Sequence, residues 1–468
     1  MTTRRVFIAG CGAAVAANAC TRRSAGIAND ISQLEPTKVA GVRAIAGTAD
    51  LQAALQQHLG TVCVAGGRFS MGGQTSATAA LQLDLTPSNR LLWLDIARKA
   101  VRVQAGMRWR TLQEWLDPHN LSVKVMQSFS NFTVGGSVSV NCHGRYVGSG
   151  SIASTIRALQ VVLRSGEVIE ASRTLHPELF AAVIGGYGLM GVVSEVELDL
   201  ADNDRMARHM ERVALADYPH WFLENVASRR DALMHNADLM PPRFDAPLTV
   251  TWRRSTAPLT DTRRLIPVGA DYAHEQNMIW AVTELPGGPQ LRQSSVVKQQ
   301  MAEPRVIHRN LEASLDVAAL EPRTRAMSTY LLQEYFIPVR NFQSFATRMA
   351  AILQHHRVDA LNVSIRHAPA DATALMAWAS EEVFCFVLYH KQRRHPWGDT
   401  MATRWTRALI DAAVECGGRY YLPYRPHATR EQFQRAYPRW NAFVERKRQY
   451  DPQTQLVNHL WQRYMAAA

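Results

Sequence analysis

The chain has 468 residues, enough for two domains that each bury a core, and its 47% hydrophobic to 20% charged composition excludes a disordered protein. The net charge of +12 raises nucleic acid as a partner, but the densest basic clusters, 391–394 and 446–448, are short, match no nucleic-acid motif and read as solvated surface. The six cysteines at 11, 20, 63, 142, 385 and 416 form no CxxC pair and no metal-ligand spacing, so neither a disulfide framework nor a metal site is expected.

The chain opens with Thr3-Arg4-Arg5-Val6-Phe7-Ile8 and an Ala-rich apolar run ending in Ala17-Asn18-Ala19. A charged start, an apolar stretch and a small-x-small cleavage site predict a signal peptide over 1–19. The paired arginines resemble a twin-arginine export signal, which predicts a periplasmic location. Cys20 would allow a lipid anchor, although Asn18 makes a poor lipobox. Gly10-Cys11-Gly12 with Asp30 also suggests a dinucleotide turn, but 21–29 is polar where that motif needs a second strand.

Periodic structure begins near residue 36. The pattern predicts a strand over 42–45, then a helix over 50–58 capped by Thr48 or Asp50 and closed by Gly60. A buried strand over 62–64 follows, and alternation predicts strands over 81–85 and 100–105. A helix over 111–116 comes next, with Trp109 and Trp115 as core packing. Ser165-Gly166 predicts a tight hairpin between 159–163 and 168–171, followed by a helix over 176–184 and a strand over 192–200. Residues 203–330 read as long irregular connections. Beyond them, strands over 330–337, 361–367 and 383–390 alternate with helices over 341–356 and 400–416. That layout is an antiparallel sheet covered by helices. A largely helical tail runs over 429–465. The fold class is α+β, with no internal repeat and no transmembrane run of about 20 apolar residues after the leader.

Three glycine-rich stretches carry the chemistry. The first is Ala65-Gly66-Gly67-Arg68-Phe69-Ser70-Met71-Gly72-Gly73. The second is Gly135-Gly136-Ser137-Val138-Ser139-Val140-Asn141-Cys142-His143-Gly144, and the third runs from Gly185 through Gly188 to Gly191-Val192-Val193. Glycine lets backbone N–H groups come close to a diphosphate and form an anion-binding concavity. One such turn is weak evidence; three in this order are not. Their order and spacing resemble the FAD-binding domain of the vanillyl-alcohol oxidase / p-cresol methylhydroxylase (PCMH) superfamily. The nearest likeness is to sugar-alcohol and aldonolactone oxidases and the decaprenylphosphoryl-ribose oxidase group. It is strong over 42–200 and returns at Gly417-Gly418-Arg419-Tyr420-Tyr421 and at Ala436-Tyr437-Pro438-Arg439.

The resemblance implies a two-part PCMH-type FAD-binding domain at 36–200, a substrate domain at 201–416 and a segment at 417–468 that returns to the first. It implies that residues Ala65 to Met71 hold the diphosphate. Gly135, Gly136, Ser139, Asn141, Cys142, His143 and Gly144 would pack against diphosphate and flavin. Gly188, Gly191, Val192 and Val193 would meet the adenine or isoalloxazine end. Many members link flavin covalently to a histidine where this chain has Phe69, and Cys142 does not match the second, cysteinyl position. FAD is therefore expected to be non-covalent. His143 either bonds a backbone carbonyl or touches the flavin.

Taking a hydride from an alcohol requires a base for the hydroxyl proton and positive charge near the flavin. The run Asn362-Val363-Ser364-Ile365-Arg366-His367 resembles the Glu-x-Arg strand of the lactone and alditol oxidases, with Ser364 in place of the glutamate. Alternation puts Asn362, Ser364 and Arg366 on one face. An arginine paired at a sheet surface is the other reading. The family's lysine after the tail glycines aligns with Tyr424, which Arg425 and His427 follow. Glu334 either supplies the missing carboxylate or caps a sheet edge. The catalytic candidates are thus Arg366, Ser364, Glu334 and Tyr424. The resemblance implies oxidation of a CH–OH group in a small sugar alcohol, lactone or related substrate, with electrons passing to oxygen, a quinone or another carrier. Two alternatives stand beside it: a flavin-dependent C–C reductase of the sterol-reductase branch, and a flavin-binding electron relay without its own substrate.

Overall fold

The computed structural model describes residues 26–284, 303–322 and 324–466. The expected leader over 1–19, with Cys20, lies outside them, as do residues 285–302.

Among the described residues, three sheets have three or more strands. The first is parallel, in the order Gly41–Ala44, Leu81–Asp84, Val62–Ala65. The helix Thr48–Gln57 carries Leu51, Ala54 and Leu55 on its buried side, at the i, i+3, i+4 spacing of an amphipathic helix. Neither expected cap serves it. The helix starts after Gly47 with no side-chain cap, so Thr48 is already helical and reaches Gln160, while Asp50 accepts from Ala46 N–H and pairs with Arg43.

The second sheet is antiparallel, in the order Val168–Ser172, Ile156–Val162, Val192–Asp202, Ala100–Gln104, Leu91–Asp95, with Leu121–Val123 pairing the far end of Val192–Asp202. The hairpin at Ser165-Gly166 forms as expected, with Gly166 at φ +88. The helix Trp109–Leu116 buries Trp109, Leu112, Gln113 and Leu116. Trp115 falls outside that stripe and is 54% exposed, so only Trp109 packs in the core.

The third sheet has eight strands. Its order is Val306–His308, Arg205–Arg212, Leu248–Arg254, Ala232–Leu239, Ala360–Ala368, Val383–Arg393, Ser328–Pro338, Arg419–Tyr420, antiparallel throughout. Four of these strands come from the region expected to be irregular. Their polar content hides them: in Ala232–Leu239 the buried His235 is satisfied by the Tyr218 hydroxyl at 3.0 Å and Thr251 Oγ1 at 2.8 Å. One face of this sheet is covered by the helices Phe342–His355 and Pro396–Glu415. Phe342 and Phe345 meet Phe384 and Phe386 at ring-centroid distances of 5.0 and 4.9 Å. Because side chains alternate along a strand, Glu334, Ser364 and Arg366 point to the other face.

The tail closes the cofactor side. Val62 accepts from Val457 N–H and donates to Gln455 O, beside an isolated bridge to Leu456. Its helices are Arg430–Ala436, opened by a Thr429/Gln432 capping box, Trp440–Tyr450 and His459–Tyr464.

Candidate active site

The strand Val62–Ala65 delivers the first glycine turn against the second. A Cβ on Gly66 would lie 2.3 Å from Thr133 Oγ1, and one on Gly135 would lie 2.6 Å from the Ala105 Cβ. These glycines are required by close approach, not by their backbone angles. Arg68 holds the turn at φ +59, with its guanidinium 3.0 Å from both Gln82 Oε1 and Asp84 Oδ2. Gln74 ties the turn to the tail by donating to Leu422 O at 2.8 Å and Tyr424 O at 2.9 Å. Among the described residues, the backbone N–H groups of Gly66, Gly67, Phe69 and Ser70 donate to no protein group. Backbone donors left free beside a cavity are an anion site, since buried N–H groups otherwise find partners.

Two connected spaces open from this turn. A narrow cleft of about 60 Å³ is lined by Gly66, Ser70, Gly135, Gly136, Ser139, Gly188, Val192 and Val193. A cavity of about 520 Å³ is lined by Gly66 to Met71, Gly136, Cys142, His143, Glu334, Ser364, Arg366 and Tyr424. Gly66, Ser70, Thr133 and Gly136 belong to both. Four candidates line neither. Ala65 is fully buried in its strand, and Asn141 donates to Asp371 Oδ2 at 2.6 Å. Gly144 and Gly191 serve packing: a Cβ would come within 2.1 Å of Met126 O and 2.6 Å of Val161 Cγ1.

On the sheet side, the His143 side chain bonds a carboxylate and not a backbone carbonyl. Its Nε2 meets Glu334 Oε1 at 2.5 Å, with both side chains nearly inaccessible. Glu334 caps no edge, because its strand lies between Val383–Arg393 and Arg419–Tyr420. The Tyr424 hydroxyl donates to Glu334 Oε2 at 3.4 Å, and Tyr421 donates to Val140 O at 2.8 Å. Burial, and then the charge of Glu334, hold the Tyr424 phenol well above its ordinary range. Asn362, Ser364 and Arg366 all line the cavity, as alternation requires. Arg366 has no ion pair among the described residues, and its Nε is buried without a partner, so it is not a paired surface arginine. Arg425 and His427 lie elsewhere. Arg425 pairs with Glu35 and Asp399, and His427 Nδ1 meets Thr403 Oγ1 at 2.9 Å. Burial pushes the Glu35 carboxyl up, but its bond to His459 and the charge of Arg425 together outweigh this and hold it at about 2.

Sequence reasoning missed Tyr421, Thr133, Asn236, Asp238, Tyr330 and Tyr389, which also line the cavity. It also missed the grouping of His143, Glu334 and Cys385, whose ligand-type atoms lie within 4.8 Å of one another. Two ligands on one tetrahedral zinc ion sit about 3.3 Å apart. The 2.5 Å His143–Glu334 contact is shorter than that and is a hydrogen bond.

The free backbone donors and the glycine-lined cleft fit a diphosphate, and the adjoining cavity fits a planar ring with a small substrate. Comparison with known proteins agrees. The family described as FAD binding domain matches residues 29–172, and the family described as D-arabinono-1,4-lactone oxidase matches residues 268–464. The chain is 29% identical to L-gulonolactone oxidase of Mus musculus over 164 residues, which is 35% of this chain and 36% of that protein. It is 23% identical to decaprenylphosphoryl-beta-D-ribose oxidase of Mycolicibacterium smegmatis over 422 residues, 82% of this chain and 84% of that protein. It is 30% identical to a mitochondrial L-galactono-1,4-lactone dehydrogenase of Oryza sativa over 165 residues, 34% of this chain and 28% of that protein. The match to L-gulonolactone oxidase thus spans about a third of that relative's length. Residues 29–172 are thus similar to an FAD-binding domain of the PCMH type, and residues 268–464 to the D-arabinono-1,4-lactone oxidase family.

Proposed function

We propose that the protein oxidises a CH–OH group of a sugar lactone, sugar alcohol or related small hydroxy compound. The observation that carries this reading is Arg366, a cation with no ion pair among the described residues, sharing one cavity with the glycine turn and with a buried carboxylate, Glu334. FAD, when bound, supplies the two-electron acceptor. Gly66, Gly67, Phe69 and Ser70 would hold its diphosphate, and Phe69 offers no nucleophile for a covalent link, which favours non-covalent binding.

The chain's own residues do the rest. Arg366 binds the oxygen that gains negative charge as the hydroxyl proton leaves, and the enclosing wall strengthens that attraction by excluding water. Ser364 and Asn362, on the same strand face, orient the neighbouring hydroxyls. The names of the relatives, oxidases and dehydrogenases of lactones and of a phosphoribose lipid, support a hydroxylated sugar-like substrate. Oxygen or a quinone is the proposed final acceptor. Export to the periplasm is a separate part of the proposal and rests on Arg4, Arg5 and the Ala17-Asn18-Ala19 site. Cell fractionation tests it.

The reaction is tested by mixing the purified flavoprotein anaerobically with a panel of aldonolactones, polyols and aldoses. At least one should bleach the flavin absorbance. Protein that carries no flavin after gentle purification, or flavin that is reduced by NAD(P)H and by no hydroxy compound, would sink the reading.

A further inference from the structure

We propose that Tyr424 takes the substrate hydroxyl proton and passes its own proton on to Glu334. The proposal rests on the CH–OH reading above and supplies the proton path that reading leaves open.

Tyr424 is pinned at both ends. Its backbone belongs to the cofactor side: Met71 N–H donates to Pro423 O at 2.8 Å, and the Gln74 amide donates to Tyr424 O at 2.9 Å. Its hydroxyl belongs to the sheet side and donates to Glu334 Oε2 at 3.4 Å. The ring stands edge-on to Tyr421 at a centroid distance of 5.6 Å. Tyr424 thus lines the cavity where the glycine turn faces the sheet.

Reach decides which group takes the proton first. His143 and Glu334 are only 4% and 2% exposed, and they are bonded to each other through Glu334 Oε1. Tyr424 lines the same cavity and is only half-buried. Arg366, from Ala360–Ala368, is near enough for its charge to act on the Tyr424 phenol. One substrate oxygen can therefore meet both.

The phenol does not ionise in this role. Burial, and then the Glu334 charge, hold it well above its ordinary range. It must release its own proton as it accepts another, and Glu334 Oε2 is the acceptor it already faces. A carboxylate accepts at both oxygens, so the His143 bond on Oε1 leaves Oε2 open to the tyrosine. Catalytic hydrogen bonds of this length tighten once substrate is bound. The neighbours are poorer relays. Tyr421 spends its hydroxyl on Val140 O at 2.8 Å. Burial and the Glu334 charge push the Cys385 thiol, on Val383–Arg393, well above its ordinary range. Arg366 only donates.

In the step itself the substrate O–H bond breaks and its proton goes to the Tyr424 oxygen. The Tyr424 O–H bond breaks with it, and that proton goes to Glu334 Oε2. The substrate oxygen pair becomes the carbonyl π bond, and the C–H pair leaves as hydride to the oxidant, the bound flavin. Alcohol and carboxylate become carbonyl, carboxylic acid and transferred hydride.

One readout needs no substrate. In holoenzyme whose tyrosines carry carbon-13 at Cζ, one phenol signal should be missing from Tyr424→Phe and should move in Glu334→Gln. A Tyr424 phenolate at neutral pH, or a signal that Glu334→Gln leaves unmoved, would overturn the relay. The second readout uses whichever hydroxy compound of the panel reduces the wild-type flavin fastest. Tyr424→Phe, shown to be folded by its retained flavin spectrum, should slow that reduction by roughly 10²- to 10⁴-fold. Glu334→Gln should slow it comparably, and the double variant should be no slower than the slower single one, because one path is broken only once. Single effects that multiply in the double variant, or a Tyr424→Phe as fast as wild type, overturn the assignment and leave the reaction standing. A wild-type flavin that no CH–OH compound reduces overturns both.

Discussion

The two sides of the cavity are built in different ways. The cofactor side is made of short, contiguous glycine runs whose function is close approach. Gly66 abuts Thr133, Gly72 abuts the Tyr424 carbonyl, and Gly135 abuts Ala105. The sheet side is made of single polar side chains projecting from strands distant in sequence, and its closest contact, His143 to Glu334, spans 191 positions. A cradle of backbone donors tolerates almost no added volume, and on the proposed reading it holds a constant group, the diphosphate. A sheet face can exchange side chains one at a time without disturbing the ladder beneath. On that reading the backbone holds the cofactor and the side chains select the substrate.

Changes of volume and of charge should therefore act on different sides. The largest effect belongs to the cradle. Gly66→Val would force a branched side chain into the Thr133 contact, already 2.3 Å for a bare Cβ. The variant should fold, by circular dichroism, yet purify with little or no flavin, with FAD affinity at least about tenfold weaker, or 1.4 kcal/mol. Full flavin occupancy in that variant would break the comparison.

A separate effect, on stability and not on cofactor affinity, should come from the sheet side in acid. Burial, reinforced by the charges of His367 and Arg253, lowers the His235 imidazole to about 3. Burial also lowers His390 to about 3 and His427 to about 4. Each folded value lies below the unfolded one, so between them the unfolded chain binds more protons. Stability from these neutral histidines is fully present above pH about 6.5 and is lost as pH falls toward about 3, by on the order of a few kcal/mol for His235. Urea melts across that window should show the loss, and His235→Gln should flatten it. An unchanged slope in His235→Gln would remove His235 from the explanation.

The same contrast explains what could be read from the sequence. The glycine runs, the strand 192–200 and the alternation that gathers Asn362, Ser364 and Arg366 were legible because each depends on near neighbours in the chain. The four early strands of the eight-stranded sheet were not, since buried polar residues such as His235 and Asn236 erase the period-two pattern. Trp115 was misjudged because one turn of helix decides between core and solvent. The His143–Glu334 bond has no local signal at all. It follows from the second glycine run meeting the Ser328–Pro338 strand.

The central claim, that the cradle and the sheet face form one reaction site, is tested most directly by anaerobic flavin reduction in Arg366→Ala. The variant should keep its flavin, because Arg366 lies outside the glycine cradle, and should be reduced by the best hydroxy compound on the order of 10²-fold more slowly than wild type. Retained flavin with an unchanged reduction rate would contradict the account.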